Sequence, residues 1–196
     1  MASETSIANV ALRLVGGTRI TSLSQGTPNA NAVSDIYNEV RDNLLAFPWN
    51  FATKRVELAK SATAPSFGFD NAFAHPSDWI YTISVHDNDG GYGTLDYRHE
   101  QVAGQNVITT DVSQVFMTYT YKETDPNLMP ASFRVALSSA LARDLAITIA
   151  NSNVLEDQLS KRADRDLGRA KSIDAVGSFP EPRPRGSWAN SRSGRA

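Results

Sequence analysis

The chain has 196 residues, of which 41% are hydrophobic and 20% are charged, and its net charge is −2. That length allows one domain to bury roughly two thirds of its unfolded surface, and the absence of cysteine excludes disulfides and thiolate metal ligands. The first twenty residues lack the pattern of a secretory signal, and no apolar run approaches the roughly eighteen residues of a membrane span. These features predict a protein that is made in a cytoplasm.

Two helices are predicted before residue 50, because apolar residues recur there at helical spacing. The first helix has its apolar face on Ile7, Val10, Ala11 and Leu14, and it is expected to end at the glycine pair 16–17. The second helix begins with Thr27 as N-cap and Pro28 at the first helical position, and it runs to Phe47. Its apolar face consists of Val33, Ile36, Tyr37, Val40 and Leu44.

The period changes from helical to alternating after the second helix. Alternation predicts strands over residues 51–60, 78–85, 94–99 and 115–122, with a further short strand over 107–109. Turn residues lie between them at 87–91 and 103–106. Several short strands joined by such turns indicate an antiparallel sheet, either curled or folded into a sandwich.

Helical spacing returns after Asp125-Pro126 and Pro130. One helix has its apolar face on Phe133, Leu137, Ala140, Leu141, Leu145 and Ile149, and a second has its stripe on Leu155, Leu159, Ala163, Leu167 and Ala170. The predicted class is α+β: the helix pairs of residues 1–50 and 125–176 form one bundle, and residues 51–124 form an inserted antiparallel β domain. Residues 177–196 are rich in Pro, Gly, Ser and Arg and are predicted to be an extended tail.

The charge is unevenly distributed. The segment 177–196 contains four arginines and one glutamate, a net charge of +3, so the other residues together have −5. A body of that charge is not typical of a protein whose main task is to grip phosphates.

The sequence offers no recognisable catalytic, cofactor or metal motif, so it predicts a protein that is not an enzyme. His75, His86 and His99 lie at irregular spacing in or beside strands, which favours surface or turn positions. The segment Asp87-Asn88-Asp89-Gly90 resembles the start of a calcium loop, but Arg98 occupies the position of the bidentate glutamate. A hairpin turn is the better interpretation.

The tail permits two interpretations. Prolines alternate with arginines over residues 179–185, which favours extended polyproline geometry, and Trp188 follows as a lone aromatic. The segment is either a solvated end or an arm that orders against a neighbouring subunit or partner. In the second case Arg183, Arg185 and Trp188 are the predicted anchors.

Three segments in a fixed order resemble the tail tubular protein A family of short-tailed bacteriophages and the related head-to-tail adaptor, or gatekeeper, proteins. They are the Phe-Pro-Trp-Asn-Phe-Ala junction at 47–52, His-Pro-Ser-Asp-Trp at 75–79, and Asp-Pro-Asn-Leu-Met-Pro-Ala-Ser-Phe at 125–133. The similarity covers roughly residues 7–175, and the tail lies outside it.

The resemblance implies a structural virion protein in the neck of the particle. Members of the family form a dodecameric ring that joins the portal protein to a tail nozzle or tail-tube protein, and the ring leaves a channel for DNA without sequence-specific binding. The family has no catalytic residues, and no cofactor or membrane is implied. Two alternatives from other classes remain: a monomeric protein- or nucleic-acid-binding module, and an enzyme of unrecognised type.

Overall fold

The structure is a computed structural model, and it describes residues 1–91 and 95–177. These residues form an α+β fold with four α-helices and two antiparallel three-stranded sheets. The helices are α1 (Glu4–Leu14), α2 (Pro28–Leu45), α3 (Ala131–Ala150) and α4 (Asn153–Val176). The strands are β1 (Thr53–Glu57), β2 (Asn71–Ala74), β3 (Trp79–His86), β4 (Arg98–Val102), β5 (Gln105–Thr110) and β6 (Phe116–Tyr121).

Side-chain caps fix where the helices begin. The hydroxyl of Ser3 accepts the backbone N–H of Ser6, and the Ser6 hydroxyl accepts the N–H of Ser3, which completes a capping box on α1. Thr27 caps α2 as predicted. Ser152 caps α4 in the same way, immediately after Asn151 has ended α3 in the left-handed conformation.

Helix α3 lies at the centre of the helical part and packs against the other three helices. All four helices contribute to one hydrophobic core, to which α3 adds Phe133, Leu137, Leu141 and Leu145. The predicted apolar faces are confirmed with one exception: Val10 is 36% exposed, and Ala8 and Leu12 lie in the core of α1 instead. Among the described residues, no helix is both long enough and apolar enough to cross a membrane.

The strands form two sheets, and a sandwich was one of the two arrangements that the sequence pattern allowed. The first has the order β1-β6-β3 and the second β2-β5-β4, and every pairing is antiparallel. Both sheets contribute to a second hydrophobic cluster, with Val85, Met117 and Tyr119 from the first and Phe73 and Ile108 from the second. The sheets therefore pack on each other through apolar side chains.

Three strand predictions differ from the structure. Strand β1 is shorter than predicted, because residues 50–52 form a 3-10 turn whose Asn50 is bonded to α4. The strand predicted at 94–99 begins only at Arg98, while Leu95 and Tyr97 pack against the sheet cluster from the preceding segment. Strand β2 has no counterpart in the sequence analysis, because the run Asn-Ala-Phe-Ala has low β propensity.

The turn between β4 and β5 generates a stability prediction. Ala103 (φ 50°) and Gly104 (φ 77°) are both left-handed, as a two-residue type I′ hairpin requires. Because alanine is strained there and asparagine tolerates this region, Ala103→Asn is expected to stabilise the protein by about 1 kcal/mol. Urea denaturation measures the change. Gly104→Ala is the matched control: no atom obstructs a Cβ at that position, so backbone strain alone should make it destabilising.

Candidate functional site

The helix-to-sheet junction is the best-defined polar and aromatic centre of the fold. Trp49 is buried and its ring makes edge contacts with Phe47 and Phe133, at centroid distances of 5.2 and 5.1 Å. Phe51 extends the cluster, lying 5.8 Å from Trp49 and 5.0 Å from Phe133. The indole N–H of Trp49 donates to the carbonyl of Leu44 at 2.7 Å. The assignment of Trp49 and Phe51 to a core rather than to a base-stacking surface is therefore confirmed.

Hydrogen bonds tie this junction to both parts of the fold. The backbone N–H of Asn50 donates to the carboxylate of Asp174 at 3.0 Å, and the Asn50 amide donates to the Asp174 carbonyl at 2.7 Å. On the sheet side, the hydroxyl of Thr120 donates to the carbonyl of Phe47 at 3.0 Å. One short segment thus fixes the end of α4 and the end of β6 relative to each other.

A second tie is ionic. The guanidinium of Arg41 is only 2% exposed and contacts the carboxylate of Asp42 at 2.8 Å, with Glu4 at 3.9 Å. Asp42 also pairs with Lys122, just beyond β6, at 2.6 Å. Since a buried guanidinium requires paired charge, this network holds α1, α2 and the end of β6 in one arrangement.

An apolar surface lies between α3 and α4, and we call it the helical patch: Val135, Ile173 and Val176. Val135 and Ile173 are 49% and 50% exposed and line a groove of about 300 Å³, and Val176 lies one turn beyond Ile173. A second groove, of about 250 Å³, continues from Ile173 to Gly177 past Phe51. These two grooves and the apolar side chains beside them make the helical patch a candidate surface for contact with another protein.

A second exposed apolar surface lies on the β part, and we call it the strand patch: Tyr81 and Ile83. Both side chains lie on β3, which is an edge strand of the first sheet, and they are 44% and 36% exposed. The pairing of β3 with β6 shifts register twice, between Trp79 and Tyr81 and between Thr82 and Ser84. Such irregularities re-aim side chains and limit unwanted pairing at an edge.

A more polar cleft of about 540 Å³ separates α2 from α3 and α4. Its floor contains Val40, Ala140 and Ala163, and its rim contains Glu39 and Asp164, beside the Arg143–Asp144 pair. Its charged groups do not converge on one point, so we assign no chemistry to it.

The second sheet brings together two histidines that the sequence analysis placed at separate surface or turn positions. The Nδ1 atom of His99 lies 3.1 Å from Nε2 of His75, within hydrogen-bond distance. The ring of Trp79 lies 4.2 Å from that of His75 at a tilt of 40°, and Tyr97 contacts His99 edge-on at 5.5 Å. Burial and the neighbouring His99 lower the pKa of His75 to about 4, and burial lowers the pKa of His99. Both rings are therefore neutral near pH 7.

The predicted anchors of the tail, Arg183, Arg185 and Trp188, lie outside the described residues. Sequence reasoning missed the buried Arg41 and the histidine pair. The sequence does place His75 at the end of a strand and His99 within an alternating run. The short distance between the two rings, however, depends on the strand order of the second sheet.

No protein-family model matches this chain, and no curated protein is significantly similar to it. The resemblance to tail tubular protein A therefore rests on the sequence patterns alone.

The Asn50–Asp174 contact can be tested against a matched aspartate of the same helix. Asp174→Ala is expected to destabilise the protein by about 1 kcal/mol, because it removes the acceptor of a backbone N–H at the junction. Asp157→Ala breaks only the exposed pair with Lys161 and should cost about 0.5 kcal/mol or less. The intrinsic propensity change is the same in both, and the helix dipole favours a carboxylate near the start of α4 and disfavours one near its end. A larger loss in Asp174→Ala therefore has to come from the junction contact, and a loss no larger than that of Asp157→Ala would contradict a special role for Asp174.

The histidine pair predicts a pH dependence. Because the folded pKa of His75 is below the unfolded value of about 6.5, the unfolded chain binds the proton first. The contribution of the neutral His75 to folding stability is therefore fully present above pH 6.5 and is lost as the pH falls towards about 4. Between pH 7 and pH 5, wild type should therefore lose more stability than His75→Gln, as measured by urea denaturation with EDTA present. An identical loss in both proteins would disprove the prediction, and His86→Gln serves as the control.

Proposed function

We propose that this chain is a structural head-to-tail adaptor of a bacteriophage. In this proposal it forms a closed ring between the portal and a tail nozzle or tail-tube protein, and the ring is a dodecamer, as the resemblance implies. The four helices are the ring-forming bundle, the β part projects as a docking surface, and residues 177–196 form an extended arm. The observation that carries the proposal is the presence of two separate exposed apolar patches on one subunit.

Closed rings require two different complementary faces, because each subunit meets its neighbours head to tail. The helical patch and the strand patch differ in shape and in secondary structure: one is a groove between helices and the other is an edge strand. Two such faces support heterologous association better than a twofold dimer, in which the same patch meets itself.

The junction around Trp49 supports the same function mechanically. A connector must hold its faces at fixed angles while DNA passes, and a hinge between helices and sheets would disturb them. Aromatic packing, the Asn50–Asp174 bonds and the Arg41 network all restrain that hinge. The net charge of −5 on the chain before residue 177 also suits a channel wall past which DNA slides without sticking.

The first experiment measures the mass of the purified protein, alone and mixed with its cognate portal, by native mass spectrometry. We expect a species of about twelve subunits, free or on the portal. Ile173→Asp and Ile83→Asp, one in each patch, should each abolish it, because a carboxylate would be buried in the subunit contact. Val154→Asp is the matched control, since Val154 is 71% exposed and belongs to neither patch.

The same measurement on the chain ended after Gly177 tests the arm. Weaker portal association would assign Arg183, Arg185 and Trp188 to the contact, and unchanged association would remove that role from them. A full-length protein that stays monomeric with and without the portal would overturn the adaptor proposal and favour a monomeric binding module.

A further inference from the structure

The histidine pair has a geometry that neither the core nor the proposed assembly requires. His75 follows β2 and His99 lies within β4, and these are the two outer strands of the second sheet, with β5 between them. His99 is in register with Ile108, which is in register with Phe73, so His99 lies on the face that Phe73 occupies. His75, two residues beyond Phe73, continues along that face. Two imidazoles therefore meet at the rim of the layer between the sheets.

The separation of the facing nitrogens matches a chelate. Transition metals bind imidazole nitrogen at about 2.0–2.1 Å, so two nitrogens 3.1 Å apart subtend about 100° at a shared ion. That angle lies between the square-planar and tetrahedral values. Longer separations, typical of unrelated surface histidines, would require the strands to move.

We propose that Nε2 of His75 and Nδ1 of His99 together bind a divalent late transition-metal ion, such as Zn²⁺, Ni²⁺ or Cu²⁺. Imidazole suits these ions, and two protein ligands leave the remaining coordination positions to water. The described part of the chain brings no third imidazole or carboxylate to the pair. The site is thus an open, two-ligand site that binds most tightly to Cu²⁺ in the divalent series.

Binding requires a change of tautomer at the exposed ring and a rotation of the rings. The facing nitrogens now point at each other, with the ring planes only 19° apart, and must turn towards a common ion beside their axis. When Nδ1 of His99 donates its proton to Nε2 of His75, the His75 ring is already protonated at Nδ1. A metal ion between the rings displaces the single shared proton from Nδ1 of His99, and that proton moves to Nε2 of the same exposed ring. The two rings keep the same number of protons, so the only charge that binding adds is that of the ion.

The pair is also held in place before any ion arrives. The backbone N–H of His75 donates to the carbonyl of Asn106 at 3.1 Å, which fixes the residue to β5. Its ring packs against that of Trp79 at a tilt of 40°, and the Trp79 indole N–H donates to the hydroxyl of Thr82 at 2.9 Å. Such outer contacts reduce the ordering that a chelate requires.

The test uses the tag-free full chain at pH 7.5, titrated with CuCl₂, NiCl₂ or ZnCl₂ in a calorimeter. We expect one saturable equivalent, tightest for Cu²⁺, and Cu²⁺ should quench the fluorescence of Trp79 beside the pair. His75→Gln and His99→Gln should each weaken binding at least tenfold. His86→Gln is the matched control and should bind as wild type does.

Circular dichroism of each variant establishes whether it is folded. Because His99 is exposed, His99→Gln is expected to fold, and it still tests the site if His75→Gln unfolds. Absence of a saturable equivalent, or an equal loss in His86→Gln, would overturn the metal site. This test is independent of the assembly proposed above, because the metal stoichiometry and the mass of the assembly are measured separately.

Discussion

The fold depends on the contact between Trp49 and Phe133. Trp49 lies four residues after the end of α2 at Leu45, and Phe133 lies in the first turn of the central helix α3. Their contact therefore fixes where the chain leaves the helices for the sheets. Phe47, two residues before Trp49, and Phe51, two residues after it, both pack on the same indole. A buried aromatic cluster combines a large apolar area with defined ring geometry, and its position is hard to shift without losing both.

The buried Arg41 complements this cluster on the other side of α2. Its charge is offset by Asp42, whose second carboxylate oxygen holds Lys122 at the end of β6. Glu123, the next residue, accepts the hydroxyl of Tyr121 at 2.6 Å and the backbone N–H of Asp125 at 2.8 Å, and so organises the return to α3. The two crossings between helices and sheets are therefore held differently: aromatic packing stabilises the exit, and the carboxylates of Asp42 and the buried Glu123 stabilise the return.

The sequence predicted the helices well and the sheets less well, for physical reasons. Helices such as α4 depend on local spacing and on caps such as Ser152, which a single segment contains. The division into two sheets depends on which distant strands pair, and no segment contains that information. Strand β2 was missed because Ala72 and Phe73 are held by their pairing with β5 and not by their own propensity. Arg41 appeared to be a polar residue of an amphipathic helix, and only its surroundings make it buried.

The candidate sites could be predicted from the sequence even less well than the sheets. Exposed apolar residues such as Ile173 and Ile83 occur at positions where periodicity alone would predict either core or surface, so the sequence cannot assign them to patches. The histidine pair requires β5 to separate β2 from β4 while their side chains meet across it. A sheet with β2 and β4 adjacent would change their spacing, and one with β4 shifted by a single residue would turn His99 to the opposite face. The pair is thus a property of strand order and register together, which is why it emerges only from the folded chain.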